Sequence, residues 1–347
     1  MRIAQVAPLH ESVPPQAYGG TERVVSYLTE ALVELGHDVT LFASGDSVTS
    51  ATLVAGAPRS LRLDERRPDA VVWHTILMGQ VLKAAAAFDI IHFHTDVVQL
   101  PLVALCETPC VSTAHGRLDL PDLKPLFRCF AHHPMVSISD SQRQPLPWLN
   151  WIATVHHGVP AGLYSFHPQP QDYFVFVGRI SPEKRPDRAI EIAKACGTPL
   201  RIAAKVDAAD REYFHSKIEP LLGDPLVTFV GEVGDAAKND LIGNARALLM
   251  PIDWPEPFGL VMVEALACGT PVIAYAHGSV PEIIEDGVTG FVVEHQEQAI
   301  AAARNVARID RRRCRAEFEQ RFTSAVMARQ YLEIYRQLVA APVAACH

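Results

Sequence analysis

The chain has 347 residues, 49% hydrophobic and 20% charged, with 31 Lys and Arg against 39 Asp and Glu and a formal net charge of −8. That length fits about two domains with sizeable cores, and the acidic balance excludes a general nucleic-acid binder and an electrostatic membrane anchor. The seven cysteines form no Cys-x-x-Cys, so a reduced, cytoplasmic protein with buried free thiols is expected.

The N-terminal stretch MRIAQVAPLHESVPPQ lacks a signal-peptide core, and Ile3 to Ala7 reads as a first strand. A Pro- and Gly-rich loop leads to Gly19-Gly20. Thr21 then caps a helix to about Leu35, with Gly36 as its stop and Val24, Leu28, Leu32 and Leu35 as its buried stripe. Asp38 to Ala43, Ile90 to His94, Cys110 to Thr113 and Val136 to Ile138 are predicted strands. A helix closes over Ala84 to Asp89. Apolar runs such as Ala84 to Phe88 fall far short of the ~20 residues of a membrane span, so no transmembrane segment is expected.

Residues 158–170 are Pro-rich and aperiodic, and read as an interdomain linker. A second strand series follows: Tyr173 to Val177, Leu200 to Ala204, Val227 to Val230, Ala247 to Met250, Pro271 to Ala274 and Phe291 to Val293. The run Arg311 to Arg315 reads as a solvated helix face. A last helix, about Ser324 to Leu338, carries Met327, Tyr331, Ile334, Tyr335 and Leu338 on one face and could pack on either domain. Alternating strands and helices predict an α/β protein of two Rossmann-like parallel sheets facing across a cleft. Ligands of such sheets sit beyond the carboxyl ends of the strands.

The loops there carry the chemistry. In PEPFGLVMVEALACGTPVIA (255–274), Pro257 suits a first helical turn and Gly269 a helix end. Glu256 then sits at the helix mouth and Glu264 two turns inside. Their eight-residue separation spans about 12 Å of helix, roughly the reach of a nucleotide sugar from sugar to ribose. Carboxylates suit vicinal hydroxyls, and the free N–H groups of Phe258, Gly259 and Leu260 suit hydroxyl or phosphate oxygens. The helix is apolar all round, so Glu264 is expected to be buried, where an unpaired charge is costly. In FVGRISPEKRP (176–186), Arg179 follows a strand and Lys184 precedes a helix, a pair suited to clamping a diphosphate and stabilising a leaving phosphate. Lys205, after the next strand, is a third phosphate or ribose contact, or a surface lysine.

Glu256 and Glu264, the Gly178–Lys184 motif, DGVTGF (286–291) and YGGTER (18–23) resemble glycosyltransferase family 4, over nearly the whole chain. The resemblance implies a GT-B fold and an enzyme of hexosyltransferase type. It implies retaining, metal-independent transfer from a nucleotide-sugar donor such as a UDP-sugar. Arg179 and Lys184 would hold the distal phosphate, Glu256 and the amides after it the sugar, and Glu264 the ribose. His115, in STAHGR (112–117), would touch the sugar near its 6-hydroxyl. The last helix would return to the first domain, giving domains of 1–165 with 326–347, and 171–325. Gly19 and Gly20 would let backbone amides approach phosphate. Backbone groups around Gly231, Glu232 and Val233 would read the base. The linker departs from the family pattern, with His156-His157 where members often carry Asn before Gly-Val.

His92 and His94 share one strand face and raise an alternative, a metal-dependent hydrolase. A non-catalytic sugar-nucleotide-binding protein is a second. A dehydrogenase lacks its G-x-G-x-x-G fingerprint. No cofactor is expected. The acceptor, expected to be soluble, falls to residues 10–18 and 115–150. Trp254 is a sugar-pocket wall or a core aromatic.

Overall fold

Runs such as Phe174-Val175-Phe176 and Ala247-Leu248-Leu249 are buried along their length, so each strand needs cover on both faces. That demand is met by crossover helices, and crossover helices impose parallel pairing. Every pairing between the strands is parallel. The computed structural model describes residues 1–16 and 19–341. Tyr18 of the YGGTER motif, the far end of the C-terminal segment and Cys346 lie outside the described residues.

The chain divides into two units, Met1–Gly158 with the segment from Ser324, and Val159–Thr323. The first unit holds β1 (Arg2–Val6), β2 (Asp38–Ser44), β3 (Thr52–Ala57), β4 (Ile90–Phe93), β5 (Cys110–Thr113), β6 (Met135–Ser137) and β7 (Trp151–Thr154). Its sheet order is β3-β2-β1-β4-β5-β6-β7. The sequence reading missed β3 and β7, the two edge strands. Each is half-exposed and lacks the buried run that marks the central strands.

The second unit holds β8 (Phe174–Arg179), β9 (Leu200–Lys205), β10 (Val227–Gly231), β11 (Ala247–Met250), β12 (Val272–Tyr275) and β13 (Gly290–Val293), in the order β10-β9-β8-β11-β12-β13. Strand order reverses between β1 and β4 in one sheet and between β8 and β11 in the other. Such switch points open a crevice at the strands' carboxyl ends.

Residues 159–170 are not a free linker. Tyr164 is buried, the His167 amide donates to the Cys268 carbonyl at 3.0 Å, and that of Gln171 to the Asn244 carbonyl at 2.7 Å. The arginine run, expected to be solvated, fastens this strap. Buried Arg311 donates to the carbonyls of His167, Ala245 and Gly243 and to Thr270 Oγ1. Arg315 donates to those of Tyr164, Ala267 and Ala161. A guanidinium offers five donors in a fixed fork, and here most of them go to backbone carbonyls, with Thr270 Oγ1 and the Glu319 carboxylate taking one from Arg311 and one from Arg315. Only Arg312 and Arg313 keep the solvated role.

The helix Ser324–Ala340 belongs to the first unit, where Tyr331 and Tyr335 are fully buried. The helical stretch 70–87 is longer than the apolar runs weighed in the sequence. By length and composition alone it could cross a membrane. Its Leu77, Met78 and Val81 fill the first unit's core, whereas Val71, Val72 and Ile76 are exposed. All six described cysteines are free. Cys268 and Cys314 are buried, but Cys129 is exposed, against expectation.

Candidate functional site

At the switch point of the second unit, the loops after β8 and β11 meet. Lys184 Nζ forms an ion pair with Glu256 Oε2, the Trp254 indole N–H donates to the same oxygen at 3.1 Å, and the ammonium lies 4.9 Å from the Trp254 ring centroid. Trp254 thus belongs to the cluster itself. The loop that carries Glu256 is held from β12. Gly278 adopts φ +62°, and a Cβ there would stand 2.2 Å from the Glu256 carbonyl oxygen, so only glycine fits. The Ser279 amide donates to that carbonyl at 2.9 Å, and Ser279 Oγ donates to the Phe258 carbonyl at 2.7 Å.

The helix begins at Leu260 and ends at Cys268, later than the sequence suggested. Gly259 is its N-cap at φ +78°, a left-handed conformation that breaks the helix between Glu256 and Leu260. Pro257 therefore lies outside the first turn, and the expected eight-residue helical ruler is helical only from Leu260 to Glu264. Phe258 is buried, while Gly259 and Leu260 are partly exposed at the helix mouth.

Glu264 is buried as expected, but its charge is matched. Lys238 Nζ, from the helix Asp235–Gly243, lies 2.6 Å from Glu264 Oε1 and 3.3 Å from Asp235. The sequence reading missed Lys238. Val233 is partly exposed on the loop that precedes this helix.

Arg179 is the last residue of β8, not the first of the loop, and pairs in register with Lys205 at the end of β9. Its guanidinium meets Glu183 in an ion pair and lies 3.5 Å from Asp210 and 3.9 Å from Asp207. Lys205 Nζ lies 3.0 Å from Asp207. Burial raises the Asp210 carboxyl, opposed by Arg179 and reinforced by its acidic neighbours. Asp207 and Asp210 are further residues that sequence reasoning missed. DGVTGF forms a turn into β13, with the Asp286 side chain accepting from the Val292 amide at 3.0 Å.

In the first unit, Gly19 is the N-cap of the helix Gly20–Glu34, so Thr21 lies inside the helix and does not cap it. A Cβ on Gly19 would meet Pro15 at 2.8 Å, whereas among the described residues nothing lies within 4 Å of a Cβ on Gly20. His115 follows β5. Its Nε2 lies 2.8 Å from His94 Nδ1, and its ring stacks on His157 at 5.2 Å between centroids. Burial holds His115 down to about 3, and depresses His92, His94 and His157 well below the ordinary histidine range.

His92 and His94 have no nitrogen to spare for a metal. His92 reaches Tyr335 OH and Thr113 Oγ1, both at 2.7 Å, and His94 reaches His115 and Gln5, both at 2.8 Å. Among the described residues no group of three or more His, Cys, Asp or Glu is arranged to hold a metal ion. The hydrolase alternative loses its ligands.

Residues 18–159 match the family described as "Glycosyltransferase Family 4", and residues 165–325 that described as "Glycosyl transferases group 1". The two matches together cover most of the chain, which is consistent with a family 4 glycosyltransferase. Glycogen synthase of Mycobacterium tuberculosis is 26% identical over 97% of this chain and 95% of its own. The crystal structure of AviGT4, a glycosyltransferase involved in avilamycin A biosynthesis, superposes with a TM-score of 0.75 at 26% identity, covering 98% of both chains. Anabaena HepE, in complex with UDP and glucose, gives a TM-score of 0.72 at 20% identity over 97% of this chain and 100% of that one. The fold is accordingly GT-B, and the chain is a glycosyltransferase.

Within this glycosyltransferase, Lys184, Glu256 and Trp254 come together in one cluster, Arg179 and Lys205 share Asp207, and Glu264 pairs with Lys238. The signal that could have found the clamp behind Glu256 was the Gly278-Ser279 pair after β12, a glycine at the carboxyl end of a strand.

Proposed function

We propose that this protein is a retaining, metal-independent glycosyltransferase that takes its sugar from a UDP-sugar. The observation that carries the reading is the Lys184–Glu256–Trp254 cluster at the β8/β11 switch point, with Arg179 at the end of β8 itself. In the proposed complex, Arg179 and Lys184 face the diphosphate and supply the positive charge that a metal otherwise brings. Glu256 and the amides at the mouth of Leu260–Cys268 take sugar hydroxyls. Glu264 takes the ribose, and loop backbone around Val233 the base. Among the described residues nothing crowds Gly20, which suits an approaching phosphate. His115 contacts the transferred sugar. The UDP found in the HepE structures supports the choice of nucleotide by analogy.

The leaving phosphate gains negative charge as the anomeric bond breaks, and fixed cations interact more strongly with that charge than with the intact donor. A screen of nucleotide sugars by thermal stabilisation, followed by turnover in excess chelator, tests the reading. Stabilisation by UDP-sugars and undiminished turnover in chelator are expected. Loss of turnover with recovery on adding a divalent ion would overturn the clamp assignment. UDP binding with neither transfer nor hydrolysis would make the protein a binding protein.

A further inference from the structure

A chain of hydrogen bonds runs through the first unit from the C-terminal helix to His115. Gln5 Nε2 donates to Tyr335 OH at 3.0 Å, and the Tyr335 hydroxyl meets His92 Nδ1 at 2.7 Å. Gln5 Oε1 lies 2.8 Å from His94 Nε2, and His94 Nδ1 lies 2.8 Å from His115 Nε2. Gln5, His92, His94 and Tyr335 are all shut away from solvent.

The order of protons follows from the inventory of donors. An amide oxygen only accepts, so His94 presents Nε2–H to Gln5. A neutral imidazole carries one N–H, which leaves a lone pair on His94 Nδ1. His115 must then donate its own Nε2–H into that lone pair. His115 Nδ1 is left as an acceptor, and that atom is buried with no hydrogen-bond partner among the described residues. A buried polar atom without a partner calls for a reason, and an absent hydroxyl donor supplies one. Turning the Gln5 amide over would reverse the whole chain and leave a buried N–H orphaned in place of the lone pair.

We propose that Gln5, His94 and Tyr335 are positioning residues that hold His115 as its Nε2–H tautomer, so that Nδ1 accepts a hydrogen bond from a hydroxyl of the donor sugar. This rests on the reading of His115 as a sugar contact. An acceptor fixed in this sense selects a hydroxyl. A sugar lacking that hydroxyl leaves Nδ1 orphaned in the complex as well.

Histidine-labelled protein, read by nitrogen NMR with no nucleotide present, gives the tautomer directly, with His115→Gln assigning the signal. The expected spectrum has an unprotonated Nδ1 on His115. In Gln5→Leu, and in Tyr335→Phe should the first variant fail to fold, both tautomers should appear. In turnover, kcat/KM for the donor relative to its 6-deoxy analogue should fall about three- to tenfold in either variant, the worth of one neutral hydrogen bond. A wild-type Nδ1–H signal overturns the proposal. So does an unchanged tautomer in both variants, or unchanged 6-hydroxyl discrimination. If the protein turns over no nucleotide sugar, the proposed function fails, while the ring spectrum still decides the tautomer.

Discussion

Lys184 and Glu256 lie 72 positions apart and form an ion pair, with the Trp254 indole donating to the same carboxylate oxygen. Both side chains are mostly removed from water, so the pair is more than a surface contact. Removing the ammonium leaves Glu256 with one neutral donor. Lys184→Met should therefore cost about 1–3 kcal/mol of stability. Lys184→Met with Glu256→Gln should recover part of that loss, because the second change removes the orphaned charge. A double-mutant cycle by urea unfolding checks this, and strictly additive effects would contradict the pairing.

Glu256 and Glu264 should separate the two ends of the donor. Each has its own lysine, Lys184 and Lys238 respectively. Glu264→Gln is expected to weaken free UDP binding more than tenfold, the equivalent of one charge-assisted bond of about 1.5–3 kcal/mol. Glu256→Gln should leave free UDP nearly untouched and reduce use of the sugar donor. Calorimetric titration with UDP distinguishes them, and equal effects would refute the assignment. Lys238→Met should mimic Glu264→Gln only in part, since it loosens the carboxylate without removing it.

Much of this was legible in the sequence, for a physical reason. The central strands are buried runs, and their loops carry Gly, Pro and charged residues whose spacing survives as local geometry. Arg179, Lys184 and Glu256, which lie on or after β8 and β11, were singled out that way. Lys238, Asp207 and Asp210 were not, because a charge partner is chosen by tertiary approach and leaves no periodic trace. Arg311 and Arg315 were misread for a related reason: a guanidinium that binds carbonyls has partners with no side-chain code. The helix start at Leu260 turned on the left-handed Gly259, and Pro257 was the more conspicuous signal.

The buried histidines tie stability to pH. His115 is held down to about 3 and His133 to about 4, both by burial, and His92, His94 and His157 are depressed too. A depressed histidine is neutral in the folded protein and titrates near 6.5 when unfolded. Its contribution is fully present above 6.5 and is lost as pH falls from there toward the folded value. Each ring costs up to about 1.4 kcal/mol per pH unit in that window. Urea midpoints at pH 7.5, 6.0 and 5.0 should decline steeply, and His133→Gln should decline less steeply than wild type. A flat profile between pH 7.5 and 5.0 would mean these rings are not held neutral.

Arg179 makes the sharpest statement about mechanism. Its guanidinium is surrounded by Glu183, Asp210 and Asp207. A diphosphate arriving there exchanges one set of anionic oxygens for another, so the intact donor gains little net affinity from the arginine. As the bond from the anomeric carbon breaks, the departing phosphate acquires charge that the carboxylates never offered, and the fixed cation gains on that charge alone. Arg179→Ala should therefore lower the transfer rate by about 10²–10³ while weakening ground-state binding of the donor far less. Single-turnover kinetics beside equilibrium titration separate the two quantities. An equal loss in both would make Arg179 a binding residue only. On the proposed retaining mechanism, the sugar becomes cation-like while the acceptor arrives on the face that the phosphate is leaving. The first product, read by NMR before it can equilibrate, should then carry the donor's anomeric configuration, and an inverted product would overturn the retaining mechanism.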